Sequence, residues 1–274
     1  MIELTCVVCS AIWTSVIAYF SGWFSDLSQL WKFPLVFIGL GLAVLLLIFL
    51  VTFILSQTVD IKKPVEKPSA FHTFVYNCFV GFLIRLFRLR FKVKNEQMIP
   101  DEPCLFIMNH RSDFDPMLLT DRYKKKHILM ISKPSNFKIP IAGGFIHKAG
   151  FMAIDRENDR EALKTVLLAA NRLKEGYSVC VYPEGTRNKT GINLLPFRHG
   201  AFKVATKVGA PIVIANIHET QKIHKNFPLR RTYAQMNVLS VLRKEDYNGK
   251  STAEISQYAM EIMQADIDAF ASAD

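Results

Sequence analysis

Two short segments of the sequence combine side chains that could move a proton and bind a phosphate. The first, residues 109–115, reads Asn-His-Arg-Ser-Asp-Phe-Asp and follows an apolar run. Its His110 and Asp115 stand five residues apart, so they do not share one face of a continuous helix. If His110 lies on a turn and Asp115 in the first turn of a following helix, the carboxylate can hold one ring nitrogen. The other ring nitrogen would then accept a proton from an alcohol.

The second segment, residues 182–187, reads Tyr-Pro-Glu-Gly-Thr-Arg and follows the apolar run Val-Cys-Val. It offers a tight turn, the hydroxyl of Thr186, exposed backbone N–H groups and the guanidinium of Arg187, which together suit a phosphate group. Taken separately, neither segment decides the chemistry. A histidine near an aspartate is more often a surface or capping residue, and the second segment could be an ordinary turn with a solvated arginine.

The elements around these segments alternate between strands and helices, which predicts an α/β domain with a mixed sheet covered by helices. Apolar runs predict strands at 89–93, 104–108, 151–154, 179–182, 212–217 and 236–242. Three- and four-residue periodicity predicts helices at 69–88, 116–123, 159–175, 201–208 and from 251 to about 271. Both chemical segments follow a predicted strand, and α/β proteins expose reactive side chains at such strand ends.

An apolar N-terminal helical membrane segment precedes this predicted domain. Residues 1–56 hold two uncharged stretches, 4–24 and 33–55. At about 1.5 Å per residue, each stretch is long enough to cross a hydrocarbon core of roughly 30 Å. Three lysines come shortly after the second stretch: Lys62, Lys63 and Lys67. This basic flank favours a cytoplasmic location for the C-terminal end of the second stretch. Two full spans would form a hairpin with both ends cytoplasmic, whereas two partial ones would form a wedge in one leaflet.

The rest of the chain divides into a linker and one domain. Residues 57–68 contain two prolines among charged residues and are predicted to be the linker. Residues 69–274 then form the predicted catalytic domain, opened by an amphipathic helix at 69–88. That helix has one broad apolar face and a cluster of arginines at its end. Two interpretations stay open: it packs on the domain, or it lies in the lipid headgroup layer.

Composition excludes several other classes of protein. The net charge of +10 is compatible with nucleic acid, an anionic membrane or a phosphate-bearing substrate as partner. The apolar residues 1–56 favour the membrane and the phosphate-bearing substrate. Nucleic-acid binding is not expected, because the motifs of its common modules are missing. A zinc site is not expected either, since His218 and His224 stand six residues apart rather than four. The five cysteines predict no disulfide or metal site: Cys6 and Cys9 read C-x-x-C, but inside an apolar stretch, where small buried thiols are the favoured interpretation.

A third segment, residues 150–156 (Gly-Phe-Met-Ala-Ile-Asp-Arg), lies between the first two. In order and spacing the three segments resemble the conserved blocks of the glycerolipid acyltransferase family, whose first block is N-H-x-x-x-x-D and whose third is F-P-E-G-T-R. The resemblance covers roughly residues 75–245. It is strongest to enzymes that acylate lysophosphatidic acid, because of the Ile-Asp-Arg form of the middle block. Three positions depart from the family pattern: Ala153, Tyr182 and Ile214.

The resemblance implies a role for each matched position. His110 would be the general base and Asp115 would orient it. Four cations would contact the phosphate of the acceptor: Arg187, Arg156, Lys133 and Lys138. Four further residues would shape the site: Asn109, Glu184, Gly185 and Thr186.

The implied reaction transfers a fatty acyl group from acyl-CoA or acyl-carrier protein to the sn-2 hydroxyl of 1-acyl-sn-glycerol-3-phosphate. It makes phosphatidic acid and uses no cofactor or metal. The expected partners are membrane lipids, lysophosphatidic acid and the acyl donor, with the catalytic domain on the cytoplasmic face of a membrane. Two alternatives remain: the same chemistry on another lysophospholipid or on glycerol-3-phosphate, and a non-catalytic module that binds anionic lipid.

Overall fold

In the computed structural model of the chain, which describes residues 1–189 and 193–272, two long apolar helices lead the fold. Helix α1 spans Ile2–Phe20 and helix α2 spans Lys32–Gln57. Both are long and apolar enough to cross a membrane, judged by length and composition. They extend over most of the two apolar stretches that the sequence predicts as membrane segments.

Small and polar residues of α1 lie where this helix packs closely against α2. Ser10, Thr14 and Ala18 are buried and recur every four residues, so they form one stripe along the helix. A Cβ added to Gly41 of α2 would lie 3.2 Å from the hydroxyl of Ser10, which shows that the two helices approach closely there. Small residues permit such close packing between apolar helices. The hydroxyl of Ser10 is satisfied locally, because it donates to the carbonyl of Cys6 at 2.6 Å.

The chain divides into two compact units, and the first holds these helices. It consists of residues 1–82 and 137–149, and it includes most of helix α3, Ala70–Leu86, together with helix α5, Ala142–Lys148. Rings of α2 and α3 pack edge to face, with the centroids of Phe49 and Phe79 5.4 Å apart. Helix α5 packs on the end of α2, where the backbone N–H of Gly144 donates to the hydroxyl of Ser56 at 3.2 Å.

This division differs from the boundary expected at residues 57–68. These ring and backbone contacts join residues 69–82 and 137–149 to the apolar helices, whereas the sequence reasoning assigns them to the catalytic domain. Residues 190–192 and 273–274 of that predicted domain lie outside the described residues. The functional division into membrane segment, linker and catalytic domain stays a prediction.

The second unit, residues 83–136 and 150–274, is built on a seven-stranded sheet. Its strands are β1 Leu89–Lys94, β2 Leu105–Met108, β3 Leu129–Ser132, β4 Met152–Ala153, β5 Val179–Val181, β6 Ile212–His218 and β7 Thr232–Leu242. Their order is β1-β7-β6-β2-β5-β3-β4, and every neighbouring pair is parallel except β6 and β7. The sheet is therefore mixed, as the sequence predicts.

Helices cover this sheet on both faces. They are α4 Asp115–Arg122, α6 Asp159–Lys174, α7 Lys203–Thr206, α8 Ile223–Asn226, α9 Lys244–Tyr247 and α10 Thr252–Ala271. Alternate residues of β2 enter two separate apolar cores: Phe106 and Met108 one, Leu105 and Ile107 the other. This strand is buried on both faces, which is why it reads as a continuous apolar run.

Three features of the second unit differ from the sequence prediction. Strand β7 begins at Thr232 rather than at residue 236, because pairing with β1 and β6 extends it through polar residues. The helix expected at 201–208 is a short 3-10 helix, His199–Phe202, followed by α7. Strand β3 has no counterpart among the predicted strands, since its four residues come soon after a run of lysines.

Candidate active site

The predicted chemical segments meet at one edge of the sheet. Strands β2 and β5 are parallel neighbours, so their carboxyl ends lie side by side. His110 follows β2 by two residues, and Glu184 follows β5 by three. Strand β6 is the other parallel neighbour of β2 and ends at the same edge. Residues that are far apart in sequence therefore converge there, as expected for the carboxyl ends of parallel strands.

His110 and Asp115 form a hydrogen-bonded pair. The Nδ1 atom of His110 lies 2.9 Å from Oδ2 of Asp115, whose side chain is fully buried. Asp115 is the first residue of α4, so the histidine lies on the turn and the carboxylate in the first helical turn. The same Oδ2 accepts backbone N–H groups from Arg111 at 2.7 Å and Ser112 at 2.8 Å. These donors fix the carboxylate in position.

The second ring nitrogen of His110 remains available. Among the described residues, Nε2 has no hydrogen-bond partner, and the side chain is 18% exposed. Its ring stacks on that of Tyr182, with centroids 4.2 Å apart and planes at 19°. A carboxylate that accepts the proton of Nδ1 leaves the lone pair on Nε2. The geometry is therefore that of a general base aimed at a proton outside the protein.

Glu184 joins the two loops that follow β2 and β5. Its Oε1 accepts the backbone N–H of His110 at 2.9 Å, and its Oε2 accepts that of Leu195 at 3.0 Å. Burial raises the pKa of this carboxyl, although the same two hydrogen bonds act in the opposite direction. The backbone N–H of Asn188 in turn donates to the carbonyl of His110 at 2.8 Å. Glu184 thus holds the backbone of His110 in position.

Asn109 performs the corresponding task on the other side. Its amide nitrogen donates to the carbonyl of Ile217 at 3.0 Å, and its amide oxygen accepts the N–H of Ile217 at 2.7 Å. The side chain is buried, so this two-point contact ties the end of β2 to β6 without competition from water. His110 is therefore held between two neighbouring strands.

The loop after β5 requires a glycine at its turn. Gly185 has a φ of +72°, a backbone region that side chains disfavour. A Cβ added there would also lie 3.2 Å from Nε of Arg198 and 3.8 Å from Cδ of Arg156. Two arginine side chains therefore flank this turn. Thr186, the next residue, is exposed.

A cavity of about 430 Å³ opens beside the turn, on the side of these arginines. Apolar side chains of the sheet and of α6 and α7 line its interior, among them Ile131, Val166 and Val204. The guanidinium of Arg198 reaches the carbonyl of Arg156 at 3.3 Å. Burial, and then the neighbouring charge of Arg198, lower the pKa of Arg156.

Arg156 and Arg198 place two cations beside the cavity. Among the described residues, neither has a carboxylate within ion-pair distance. Two converging cations beside an apolar cavity match a ligand with a phosphate and a hydrocarbon part. The sequence reasoning identifies Arg156 and misses Arg198, whose only signal is a basic residue shortly after the second segment.

The remaining predicted cations occupy different positions. Arg187 forms an ion pair with Asp113 of the first segment, and both side chains are substantially exposed. Lys133 is exposed and follows β3, which ends at the same edge of the sheet. Lys138 is exposed and belongs to the other compact unit. Within residues 1–189 and 193–272, the side chain of neither lysine forms a hydrogen bond or an ion pair with another predicted site residue.

The buried cysteines of this unit are poor nucleophiles. Burial raises the pKa of the Cys104 thiol to about 11 and raises that of Cys180 as well. The thiolate is the nucleophilic form of cysteine, so neither is prepared to form a covalent intermediate near neutral pH. Neither thiol therefore offers a covalent route for group transfer.

Comparisons with known proteins show what the chain is similar to. Residues 90–217 match the family model described as Acyltransferase. A chloroplastic 1-acyl-sn-glycerol-3-phosphate acyltransferase from Brassica napus is 32% identical over 158 residues, 56% of this chain and 44% of that protein. The 1-acyl-sn-glycerol-3-phosphate acyltransferase of Haemophilus influenzae is 29% identical over 189 residues, 66% of this chain and 76% of that protein. The chain spans half or less of the length of three of the curated relatives that it matches.

A solved structure has the same fold. It is the 1-acyl-sn-glycerophosphate (LPA) acyltransferase from Thermotoga maritima, with a TM-score of 0.59 over 72% of this chain and 79% of that one. At 19% sequence identity, this likeness shows the shared mixed α/β architecture. The sequence matches go further: residues 90–217 match the Acyltransferase family model, and the relatives that match the chain are named as acyltransferases.

Proposed function

We propose that the chain transfers a fatty acyl group from an acyl thioester to the sn-2 hydroxyl of 1-acyl-sn-glycerol-3-phosphate, which makes phosphatidic acid. The observation that carries the proposal is the pair of His110 and Asp115, with Nε2 open, within the residues that match the Acyltransferase family model. The names of the relatives support this choice of acceptor.

In the proposed reaction, Nε2 of His110 removes the proton from the acceptor hydroxyl as its oxygen attacks the thioester carbonyl. Asp115 stabilises the imidazolium that forms. The tetrahedral oxyanion then collapses, breaks the carbon–sulfur bond and expels the thiolate. The thiolate takes the proton from His110, so the histidine is restored and no acyl-enzyme forms.

The acceptor phosphate would bind to Arg156 and Arg198 at the mouth of the cavity. A phosphomonoester carries about −1.5 to −2 charges near neutral pH, which two guanidinium groups balance. Arg187 would contribute if it exchanges its exposed partner Asp113 for the phosphate. Lys133 and Lys138 remain proposed contacts on the resemblance alone. Asn109, Glu184, Gly185 and Thr186 would shape the loops that hold these groups.

The location of the enzyme is inferred from its substrates. Each CH₂ of an acyl chain contributes about 0.8 kcal/mol to membrane retention, so a sixteen-carbon chain is held by roughly 10–13 kcal/mol. An enzyme anchored by α1 and α2 would meet both lipids without extracting them into water. We propose that the catalytic domain faces the cytoplasm and uses acyl-CoA or acyl-carrier protein as donor, with no cofactor.

The test measures thiol release by the full chain reconstituted in vesicles, with lysophosphatidic acid as acceptor and each donor in turn. His110→Ala is the test variant. His127→Asn is the matched control, because His127 is exposed outside the site and asparagine tolerates its φ of +44°. We expect acceptor-dependent release that is lost in His110→Ala and kept in His127→Asn.

The acceptor range separates the alternatives. Faster turnover of glycerol-3-phosphate or of a lysophospholipid with a larger headgroup would reassign the acceptor and keep the chemistry. Absence of release with both donors and all acceptors, from protein that melts cooperatively, would refute acyl transfer. A lipid-binding module would then be the remaining interpretation.

A further inference from the structure

A group of exposed apolar side chains surrounds the connection between β6 and β7. Leu229 at its tip is 82% exposed and Phe227 is 37% exposed. Two more belong to segments of the same compact unit that adjoin this connection: Tyr233 in β7, 62% exposed, and Leu86, which precedes Phe87 at the end of α3, 45% exposed. We call these four residues the apolar tip. Single exposed apolar residues are common, but several together at a loop apex mark an interaction surface.

Specific contacts hold the apolar tip in place. The ring of Phe87 stacks on that of Phe227, with centroids 4.3 Å apart and planes at 29°. The guanidinium of Arg88 donates to the carbonyl of Leu229 at 2.8 Å. Arg90 of β1 lies in register beside Tyr233. The end of α3, strand β1 and the β6–β7 connection therefore form one continuous surface.

Acidic residues are missing from most of the two segments that carry the apolar tip, and the exception, Glu219 at the start of the β6–β7 connection, is paired with Lys222. Residues 83–95 and 220–244 contain no aspartate or glutamate. Five exposed cations lie in these two segments nearest to the tip: Arg88, Arg90, Lys225, Arg230 and Arg231. In the part of the chain that the structure describes, none of the five has a carboxylate within ion-pair distance.

We propose that the apolar tip and its five cations dock on the surface of an anionic phospholipid membrane. Leu229 and Phe227 would enter the boundary between headgroups and acyl chains, and the arginines would bind lipid phosphates. Apolar insertion combined with cations at the rim is how interfacial segments bind bilayers. Each Lys or Arg near an anionic leaflet contributes about 1 kcal/mol, so five cations are sufficient for a strong preference. The cations alone could bind either a bilayer or an acidic protein. The exposed Leu229 favours the bilayer, because an apolar side chain can enter it.

The docking surface is connected to the candidate active site. Phe87, which packs against the tip, also contacts Phe114 with ring centroids 4.7 Å apart. Phe114 immediately precedes Asp115, the partner of His110. Docking would thus hold the loop of the His110–Asp115 pair at the lipid surface. This attachment is additional to the two candidate membrane helices and lies in the other compact unit.

The experiment measures the depth of Leu229 in a bilayer. The full chain carries Leu229→Cys with an environment-sensitive fluorophore, in a background where Cys6, Cys9 and Cys78 are replaced by alanine and the buried Cys104 and Cys180 are kept. It is reconstituted in phosphatidylcholine vesicles with and without phosphatidylglycerol, doped with nitroxide-labelled lipid. The matched control is Leu163→Cys on α6, which is 46% exposed beside the ion pair of Lys164 and Glu161.

We expect several-fold stronger nitroxide quenching at residue 229 than at residue 163. The quenching should rise with phosphatidylglycerol and fall with salt. The double variant Arg230→Glu/Arg231→Glu should abolish that rise, and its melting in detergent should match that of the parent.

Equal quenching at residues 229 and 163 would overturn the proposal. Quenching at residue 229 that is the same in the parent and in Arg230→Glu/Arg231→Glu would overturn it as well. Protection of the label by acyl-carrier protein in vesicle-free detergent, without any lipid dependence, would also overturn it and assign the surface to an acidic protein. None of these readouts requires acyl transfer, so the proposal and the proposed function can fail separately.

Discussion

The second unit contains two histidine–aspartate pairs at the ends of neighbouring parallel strands, and the two pairs differ in their surroundings. His110 follows β2 and pairs with Asp115 at 2.9 Å, while His218 ends β6 and pairs with Asp266 of α10 at 2.7 Å. Each ring also stacks on an aromatic ring, Tyr182 for the first and Phe270 for the second. Distance and stacking therefore do not separate a chemical pair from a structural one.

The surroundings of the carboxylates separate them. Asp266 accepts hydrogen bonds from the side-chain amides of Asn216 at 2.9 Å and Asn237 at 2.7 Å, so both of its oxygens are occupied. His218 is buried, with a side chain only 6% exposed. This cluster fastens the C-terminal helix to the sheet. The pair at His110 instead keeps one ring nitrogen open, and a cavity with two arginines lies beside the turn at the end of the neighbouring strand.

Removing each histidine in turn is the most direct test of whether the two pairs differ in role. We expect His110→Ala to lower thiol release by about 10²–10⁴-fold, the usual contribution of a general base, and to leave the free energy of unfolding nearly unchanged. His218→Ala should do the reverse: it should lower the free energy of unfolding and keep the turnover per folded molecule. Activity assays and denaturant unfolding of the same samples check both. A loss of turnover in folded His218→Ala that equals the loss in His110→Ala would erase the distinction.

Asp115→Asn tests how the first carboxylate acts. The atom Oδ2 of Asp115 accepts the N–H groups of Arg111 and Ser112 and also pairs with Nδ1 of His110. The asparagine oxygen in that position keeps these hydrogen bonds, but the negative charge that stabilises the imidazolium during proton transfer is lost. We expect a decrease of about 10²–10³-fold in kcat with a smaller change in acceptor KM. Steady-state kinetics of the folded variant check the assignment, and an unchanged kcat would contradict it.

How far the sequence predicts this site depends on distance along the chain. His110 and Asp115 are five residues apart, so local geometry and the motif together place them in contact. Asp266 lies 48 residues after His218, and no local pattern relates them. Arg198 likewise meets Arg156 through folding of the sheet, since 42 residues separate them. The sheet class is predictable from alternating apolar runs, but β3 is not, because four residues carry little periodicity.

The two arginines beside the loop after β5 allow a further test of the His110 site. We expect Arg156→Ala and Arg198→Ala each to raise the KM for lysophosphatidic acid by about 10–100-fold, as for loss of a charge-assisted bond worth roughly 1.5–3 kcal/mol. The kcat should fall much less. Arg198→Lys should raise the KM less than Arg198→Ala does, because lysine keeps the positive charge but cannot form the two parallel hydrogen bonds of a guanidinium. Steady-state kinetics with lysophosphatidic acid and with a neutral acceptor check this, since the neutral acceptor should be unaffected.

Acid should act on the second pair through stability. Burial opposes ionisation of Asp266, yet hydrogen bonds from His218, Asn216 and Asn237 hold its pKa below the ordinary value. A lowered pKa contributes stability above the carboxyl's unfolded pKa, about 3.9, and this stability is lost as pH falls through the folded value. The unfolding free energy of the wild type should therefore fall more steeply below about pH 4 than that of Asp266→Asn. At neutral pH, Asp266→Asn should lower the free energy of unfolding by about 1–3 kcal/mol. Parallel acid titrations of the two proteins would contradict the assignment.

The smallest expected effect concerns Arg187, whose partner belongs to the same loop as His110. The ion pair with Asp113 is exposed on both sides, so it contributes little to stability. If Arg187 binds the acceptor phosphate, Asp113 competes for it, and Asp113→Asn should lower the acceptor KM by a factor of about two to five. This corresponds to the roughly 0.2–1 kcal/mol of an exposed pair. Arg187→Ala should remove the benefit of Asp113→Asn in the double variant. An unchanged KM in both single variants would restrict phosphate binding to Arg156 and Arg198, and Arg187 would then be a surface residue with no part in the reaction.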